Sequence, residues 1–234
     1  MVYKDRDEMA IKRLLLVEDD RRMRNLLSHY FRNEGFEIME ADNGQHALDI
    51  FRAHKIDLVI LDIMLPIIDG WQVCSAIRKK SQDIAIILVT ARDLEEDKLF
   101  GFELGADDYV TKPFSPKVLV ARAQTLMKRV QRNISSDSPS LQLNGLKIDN
   151  TSHVVTMDDQ LINLSNLEYA LLSYLLTNKG RVLTRHQILE TVWGSNFYGD
   201  TRTVDTHIWR LRDKIKHSDV LISTVRGTGY RLEG

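Results

Sequence analysis

The sequence predicts an α/β doubly wound five-stranded parallel sheet followed by a smaller α+β domain, and three observations predict it. Over roughly the first 132 residues, apolar strand-like runs alternate five times with amphipathic helical stretches, the pattern of a parallel sheet covered on both faces. A serine-rich, apolar-poor break from Asn133 to Ser140 then interrupts the pattern. Beyond it come short strands, helices and a closing hairpin. The chain is therefore read as a tail (1–12), a first domain (13–132), a linker (133–140) and a second domain (141–234). A length of 234 residues allows each domain its own core.

The first strand is Arg13 to Val17, a continuous apolar run after Arg13, and three acids follow it: Glu18, Asp19 and Asp20. An amphipathic helix spans about Arg21 to Asn33 and is closed by Gly35. Phe36 to Glu40 is a second strand, and Asn43-Gly44 opens a helix through His54. Leu58 to Leu61 reads as a strand buried on both faces, ending at Asp62, after which Pro66 and Asp69-Gly70 turn the chain. A helix covers about Trp71 to Lys79, a fourth strand Ile84 to Val89 ends at Thr90, and a helix reaches Leu104 with Gly105 as its cap. Tyr109 to Thr111 is the fifth strand, Lys112-Pro113 ends it, and the last helix runs from Ser115 to about Arg132. In the second domain, strands are expected at Leu141–Leu143, Lys147–Ile148, Val154–Thr156 and Gln160–Ile162. Capping boxes at Ser165-x-x-Glu168 and Thr184-x-x-Gln187 open two helices.

A hydrophobic content of 43% and a charged content of 28% suit a soluble globular protein. There is no apolar run near ~18 residues, so no membrane span is expected, and a cytoplasmic location is. The lone cysteine, Cys74, permits no internal disulfide and is read as a small hydrophobe. Residues 1–132 carry 21 basic and 22 acidic side chains and residues 133–234 carry 11 of each. Any nucleic-acid binding must therefore rest on a local patch and not on net charge.

In a doubly wound sheet, the C-terminal ends of the first, third, fourth and fifth strands share one edge, where such folds bind ligands. Here that edge collects Glu18, Asp19, Asp62, Thr90 and Lys112. Clustered carboxylates repel unless a cation joins them, and an all-oxygen set suits Mg²⁺. With Lys112 supplying positive charge and Thr90 a hydroxyl, the edge is suited to phosphoryl transfer onto Asp62 as nucleophile, giving an acyl phosphate.

Residues 13–132 resemble the receiver domain of bacterial response regulators, a flavodoxin-like fold. The resemblance is carried by Leu16-Val17-Glu18-Asp19-Asp20, Leu61-Asp62-Ile63-Met64-Leu65-Pro66 with Asp69-Gly70, Val89-Thr90-Ala91, and Gly105 to Phe114. It implies that Asp62 accepts phosphate from a sensor histidine kinase. It further implies that Asp19, Asp62 and the Met64 carbonyl bind Mg²⁺ with Glu18 helping through water, that Thr90 and Tyr109 switch together, and that the Lys112-Pro113 bond is cis.

From Asp200 to Ile215, apolar residues at 204, 208, 211 and 215 define one helical face, while Arg202, Arg210, Arg212 and Lys214 lie on the others. The adjoining Thr224 to Tyr230 reads as a hairpin with Arg226 at its tip. A helix in the major groove and an arginine-bearing wing in the minor groove would clamp DNA. Residues 141–233 are similar to the winged helix-turn-helix effector of the OmpR/PhoB subfamily. The match runs through Leu167-Glu168-Tyr169, Val182 to Arg185, Val192-Trp193-Gly194, the arginine-bearing helix and the wing.

Trp193 is expected in the core. Trp209 is expected on the recognition helix, where its indole can meet a thymine methyl or a sugar. The candidate DNA contacts are Arg202, Thr206, Trp209, Arg210, Arg212, Lys214 and Arg226, with Arg210 reading a base. The resemblance also implies a homodimer on phosphorylation through Lys98, Leu99, Phe102, Asp108, Val120 and Arg122, with Asp108 and Arg122 paired across it. Double-stranded DNA in tandem half-sites and RNA polymerase are the further expected partners. The competing reading is an aspartyl-phosphate phosphohydrolase. Those enzymes generally use a second acid two residues after the nucleophile, where this chain has Met64. The chain is therefore expected to take up and hydrolyse its own phosphate without turning over a substrate.

Overall fold

The computed structural model describes residues 12–91, 95–134, 140–150, 152, 154–194, 201–216 and 219–234, except the side chains of residues 95, 96, 98, 99, 103 and 128–134. The first domain alternates β1 (Lys12–Val17), α1 (Arg21–Asn33), β2 (Phe36–Ala41), α2 (Gly44–Ala53), β3 (Leu58–Asp62), α3 (Gly70–Lys80), β4 (Ala85–Thr90), α4 (Glu95–Leu104), β5 (Asp108–Thr111) and α5 (Pro116–Ile134). The five strands are parallel in the order β2-β1-β3-β4-β5. Every residue of β3 and β4 is buried, the physical reason these strands read as continuous apolar runs.

Short polar side chains start the helices. Asp20 caps α1 by accepting from the amides of Arg22 and Met23, Asn43 caps α2, and Asp69 caps α3. Asp20 is thereby committed to the helix, separating it in role from Glu18 and Asp19. Cys74 is buried on α3, and burial pushes its thiol up to about 12.

The second domain opens with four antiparallel strands, β6 (Leu141–Leu143), β7 (Leu146–Asp149), β8 (Val154–Met157) and β9 (Gln160–Leu161). There follow α6 (Asn166–Thr177), β10 (Leu183–Thr184), α7 (Arg185–Val192), α8 (Arg202–Lys214), β11 (Leu221–Val225) and β12 (Gly229–Glu233). Both expected capping boxes are present, at Ser165/Glu168 and Thr184/Gln187. Val204, Ile208, Leu211 and Ile215 form the buried face of α8, and Trp193 is buried as expected.

Most element ends fall within a residue or so of expectation, and three departures are larger or of another kind. β1 begins at Lys12, inside the expected tail, and α5 continues through Ile134, two residues into the expected linker. β10 is a strand the sequence did not announce. It is two residues long, and it exists because β12 offers it a partner. That pairing also explains Gly229: a Cβ there would lie 2.0 Å from the Leu183 carbonyl oxygen, whereas Gly227 is needed for its φ of +73° at the tip.

Candidate functional site

At the C-terminal edge of the first sheet, one carboxylate oxygen each from Glu18, Asp19 and Asp62 lies within 4.8 Å of the others. β1 delivers Glu18 and Asp19, and β3 delivers Asp62. Asp62 and Glu18 are buried, while Asp19 is exposed at the mouth. Lys112, just past β5, donates to Asp62 Oδ2 at 2.5 Å and to both Glu18 oxygens at 3.0 and 2.8 Å. The Lys112-Pro113 bond is cis. The other Asp62 oxygen accepts from the Met64 amide at 2.9 Å, which fixes the carboxylate at the start of the loop after β3. Thr90 is fully buried at the end of β4, and Tyr109 is buried on β5.

One lysine serves two buried acids, and the charges do not balance. Burial raises the pKa of Glu18, with Asp62 adding repulsion against the opposing hydrogen bond from Lys112. Burial pulls Lys112 down, but its bonds to Asp62 and Glu18 outweigh this and leave its pKa raised. A hard cation fits such a donor set, with three carboxylates on one side and an open mouth on the other. A cleft of about 460 Å³ adjoins it, lined by Asp19, Met64, Pro66, Asp69 and Trp71 among others. Gly70 permits the loop to close: a Cβ at this position would lie 2.2 Å from the Asp62 carbonyl oxygen.

Four of the six expected dimer residues, Phe102, Asp108, Val120 and Arg122, are engaged or buried within the single chain. Asp108 and Arg122 pair within the chain, at 2.9 and 2.8 Å and largely buried, because β5 and α5 are adjacent. Phe102 is 5% exposed and packs against His207 of the second domain, with ring centroids 5.6 Å apart. Val120 is buried in the core. Lys98 and Leu99 lie on α4, and their side chains are outside the described residues.

The expected DNA-contacting residues divide into two groups. Arg202, Trp209 (59% exposed) and Arg226, the last at the hairpin tip, are on the surface. The others are engaged internally. Arg210 lies 2.9 Å from Glu168 Oε1 and donates to the Phe102 carbonyl at 3.3 Å. Lys214 donates to Glu168 Oε2 at 2.6 Å. Arg212 donates to the Ile222 carbonyl and the Thr224 hydroxyl, bracing the wing, and Thr206 is buried. In this arrangement Arg210 faces an acid and a backbone carbonyl, so it is not presented as a base reader.

Two buried ionic groups, at Arg78 and at Glu168, have partners that the sequence did not indicate. Arg78 on α3 donates to the Gly105 carbonyl and pairs with Asp107. Glu168 holds both Arg210 and Lys214. Burial works to raise the Glu168 pKa, but these two cations outweigh it and leave the pKa lowered. At Lys214 burial prevails, and its pKa is lowered as well. Glu168 was legible only as the acid of a capping box. Its second role depends on α8, an element distant in sequence.

The family model "Response regulator receiver domain" matches residues 14–124, and "Transcriptional regulatory protein, C terminal" matches residues 159–232. The chain is 43% identical over 226 residues to "Sensory transduction protein RegX3" of Mycolicibacterium smegmatis, covering 94% of this chain and 99% of that one. It is 42% identical over 229 residues to "Transcriptional regulatory protein SrrA" of Staphylococcus aureus, covering 94% and 95%. Among solved structures, a point mutant of RitR superposes with a TM-score of 0.75 at 29% identity, covering 95% of this chain and 100% of that one. DrrB, an OmpR/PhoB homolog from Thermotoga maritima, does so with 0.51 at 32%, covering 96% and 100%.

Proposed function

Because the chain belongs to the two-component response regulators of OmpR/PhoB type, with a receiver and a DNA-binding domain, we propose that phosphorylation of Asp62 controls its binding to DNA and so transcription. The observation that carries this is the Lys112 ammonium bridging Asp62 and Glu18 at one sheet edge. In the proposed reaction an Asp62 carboxylate oxygen attacks the phosphorus of a kinase phosphohistidine. A P–O bond forms, the P–N bond breaks, and the imidazole leaves with the electron pair. Lys112 exchanges part of its bonding to Asp62 for an incoming phosphoryl oxygen, and the Thr90 hydroxyl donates to another. Water later cleaves the acyl phosphate, returning Asp62 and inorganic phosphate. Asp19, Asp62 and the Met64 carbonyl would hold Mg²⁺, with Glu18 acting through water; the ion supplies charge neutralisation for the phosphoryl oxygens.

Among the described residues, no helix is long and apolar enough to cross a membrane. A cytoplasmic protein acting with a sensor kinase, RNA polymerase and a second copy of itself is the reading we favour. Tandem DNA half-sites would each take an α8 and a wing, with Trp209, Arg202 and Arg226 as the outward contacts.

The test is to incubate wild type and Asp62→Asn with acetyl phosphate, with and without chelator, and to resolve the phosphoprotein. Wild type should take up about one phosphate and release it slowly, with the variant and the chelated sample unlabelled. Equal labelling of the variant overturns the assignment. Many turnovers per chain would instead support the phosphohydrolase reading.

A further inference from the structure

The loop after β3 carries a residue that neither its conformation nor its packing explains. Ile67 has a φ of +72°, and the Ile68 N–H donates to the Pro66 carbonyl at 2.9 Å, closing a γ-turn with Ile67 at its centre. The positive-φ form of this turn is rare and strained, and a β-branched side chain adds to the strain. The other non-glycine residues at positive φ among the described residues are Asn144, Asp158 and Asp159, whose short polar side chains tolerate it. Glycine at position 67 would take this conformation freely. Burial does not offset the strain, because Ile67 is 80% exposed.

Its neighbours hold the turn in place. Pro66 before it has a restricted φ, and Ile68 after it packs on the core with its carbonyl against α2, where a Cβ on Gly44 would lie 2.1 Å from that oxygen. Asp69 caps α3, and the Gly70 N–H donates to the Ile63 carbonyl at 2.9 Å. Ile67 is thereby fixed at the surface between Pro66 and Asp69, both of which line the phosphorylation cleft. Met64, 54% exposed, is on the same loop and lines the cleft as well. Two large apolar side chains are thus displayed beside the mouth, one of them on a strained backbone, and such strain persists where it serves a function.

Asp62 is buried, so a phosphoryl group carried on a protein brings that protein's surface against this loop, whereas a small donor enters alone. We propose that Ile67, with Met64 beside it, is a contact for the phosphohistidine-bearing domain of the partner kinase, speeding transfer from protein donors and not from small ones. The surface it fits carries an apolar side chain near the phosphohistidine, because covering an exposed isoleucine stabilises a complex when its partner is apolar too. The inference rests on the phosphorylation reading above and leaves its chemistry unchanged: the P–N bond breaks as the P–O bond to Asp62 forms.

Phosphotransfer to the full chain tests this, with acetyl phosphate as the small donor. The protein donor is the autophosphorylated soluble core of a histidine kinase, the one that labels wild type fastest among those encoded in the same genome. Ile67→Ala removes the reach of the side chain, and Ile67→Gly also relieves the backbone. Both should lower kcat/KM for the kinase about tenfold, through KM, while acetyl phosphate labels them at the wild-type rate. Ile67→Val, which keeps most of the apolar surface, should stay within about twofold of wild type. Ile67→Gly should also raise the urea midpoint.

Wild-type transfer from the kinase to both the Ala and Gly variants overturns the proposal. Equal slowing with both donors also overturns it, since Ile67 would then support Asp62 and not meet a partner. A lower urea midpoint in Ile67→Gly does the same, by giving the side chain a role in its own fold. If no kinase labels wild type at Asp62, the phosphorylation reading itself fails and takes this contact with it.

Discussion

Glu168 shows how one side chain can be read correctly in one role and missed in another. Its carboxylate accepts from the Ser165 amide at 2.8 Å, the capping-box bond legible in the sequence, and also faces Arg210 and Lys214. Glu168→Gln keeps the cap and the shape but leaves two part-buried cations without a counter-charge, which should destabilise the second domain by about 3 kcal/mol at neutral pH. Because the folded pKa of Glu168 is lowered from 4.5, its contribution is present above that value and is lost as pH falls through the folded pKa. Denaturant midpoints measured from pH 7 into acid should therefore converge for wild type and variant. A gap that does not depend on pH would mean that packing and not charge holds α8 to α6. Arg210 was legible as a cation on the recognition helix. Whether it meets an acid, a carbonyl or a base depends on neighbours from other elements.

At the scale of elements, periodicity and caps placed nearly every helix and strand of the described residues, because those signals sit within a few residues of the structure they start or stop. β10 escaped, since two residues carry no period and the strand is made by β12. Gly229 marks that dependence. Gly229→Ala sets a methyl against the Leu183 carbonyl and should cost about 1–3 kcal/mol by forcing β10 from β12. Loss of DNA binding with unchanged acetyl-phosphate labelling is the expected pattern. A variant as stable as wild type would show that the wing tolerates the shift. Gly227→Ala offers a comparison, because its φ of +73° and open surroundings make it a matter of backbone conformation alone.

For the whole molecule, the buried intrachain pairing of Asp108 with Arg122 and the covering of Phe102 bear on assembly. Both belong to the surface expected to dimerise, and the docked chain has already used them. The unphosphorylated protein should sediment as a monomer across a wide concentration range, with a modest-affinity dimer when beryllofluoride and Mg²⁺ are added. An activated protein that stays monomeric while filling tandem half-sites would place assembly on the DNA instead.

The sequence by itself determined the two domains, the strand-end cluster of Glu18, Asp19, Asp62, Thr90 and Lys112, the helix caps and the buried face of α8. These follow from where apolar runs stop and which polar residue comes next, and such local patterns survive whatever the rest of the chain does. Only the tertiary structure decided that Arg78 buries itself on Asp107, that Arg210 turns to Glu168 and α4, and that Asp108 finds Arg122 in its own chain. Charged side chains are long and accept any opposite partner within reach. Which partner that is depends on how distant elements pack, and no spacing along the chain records it.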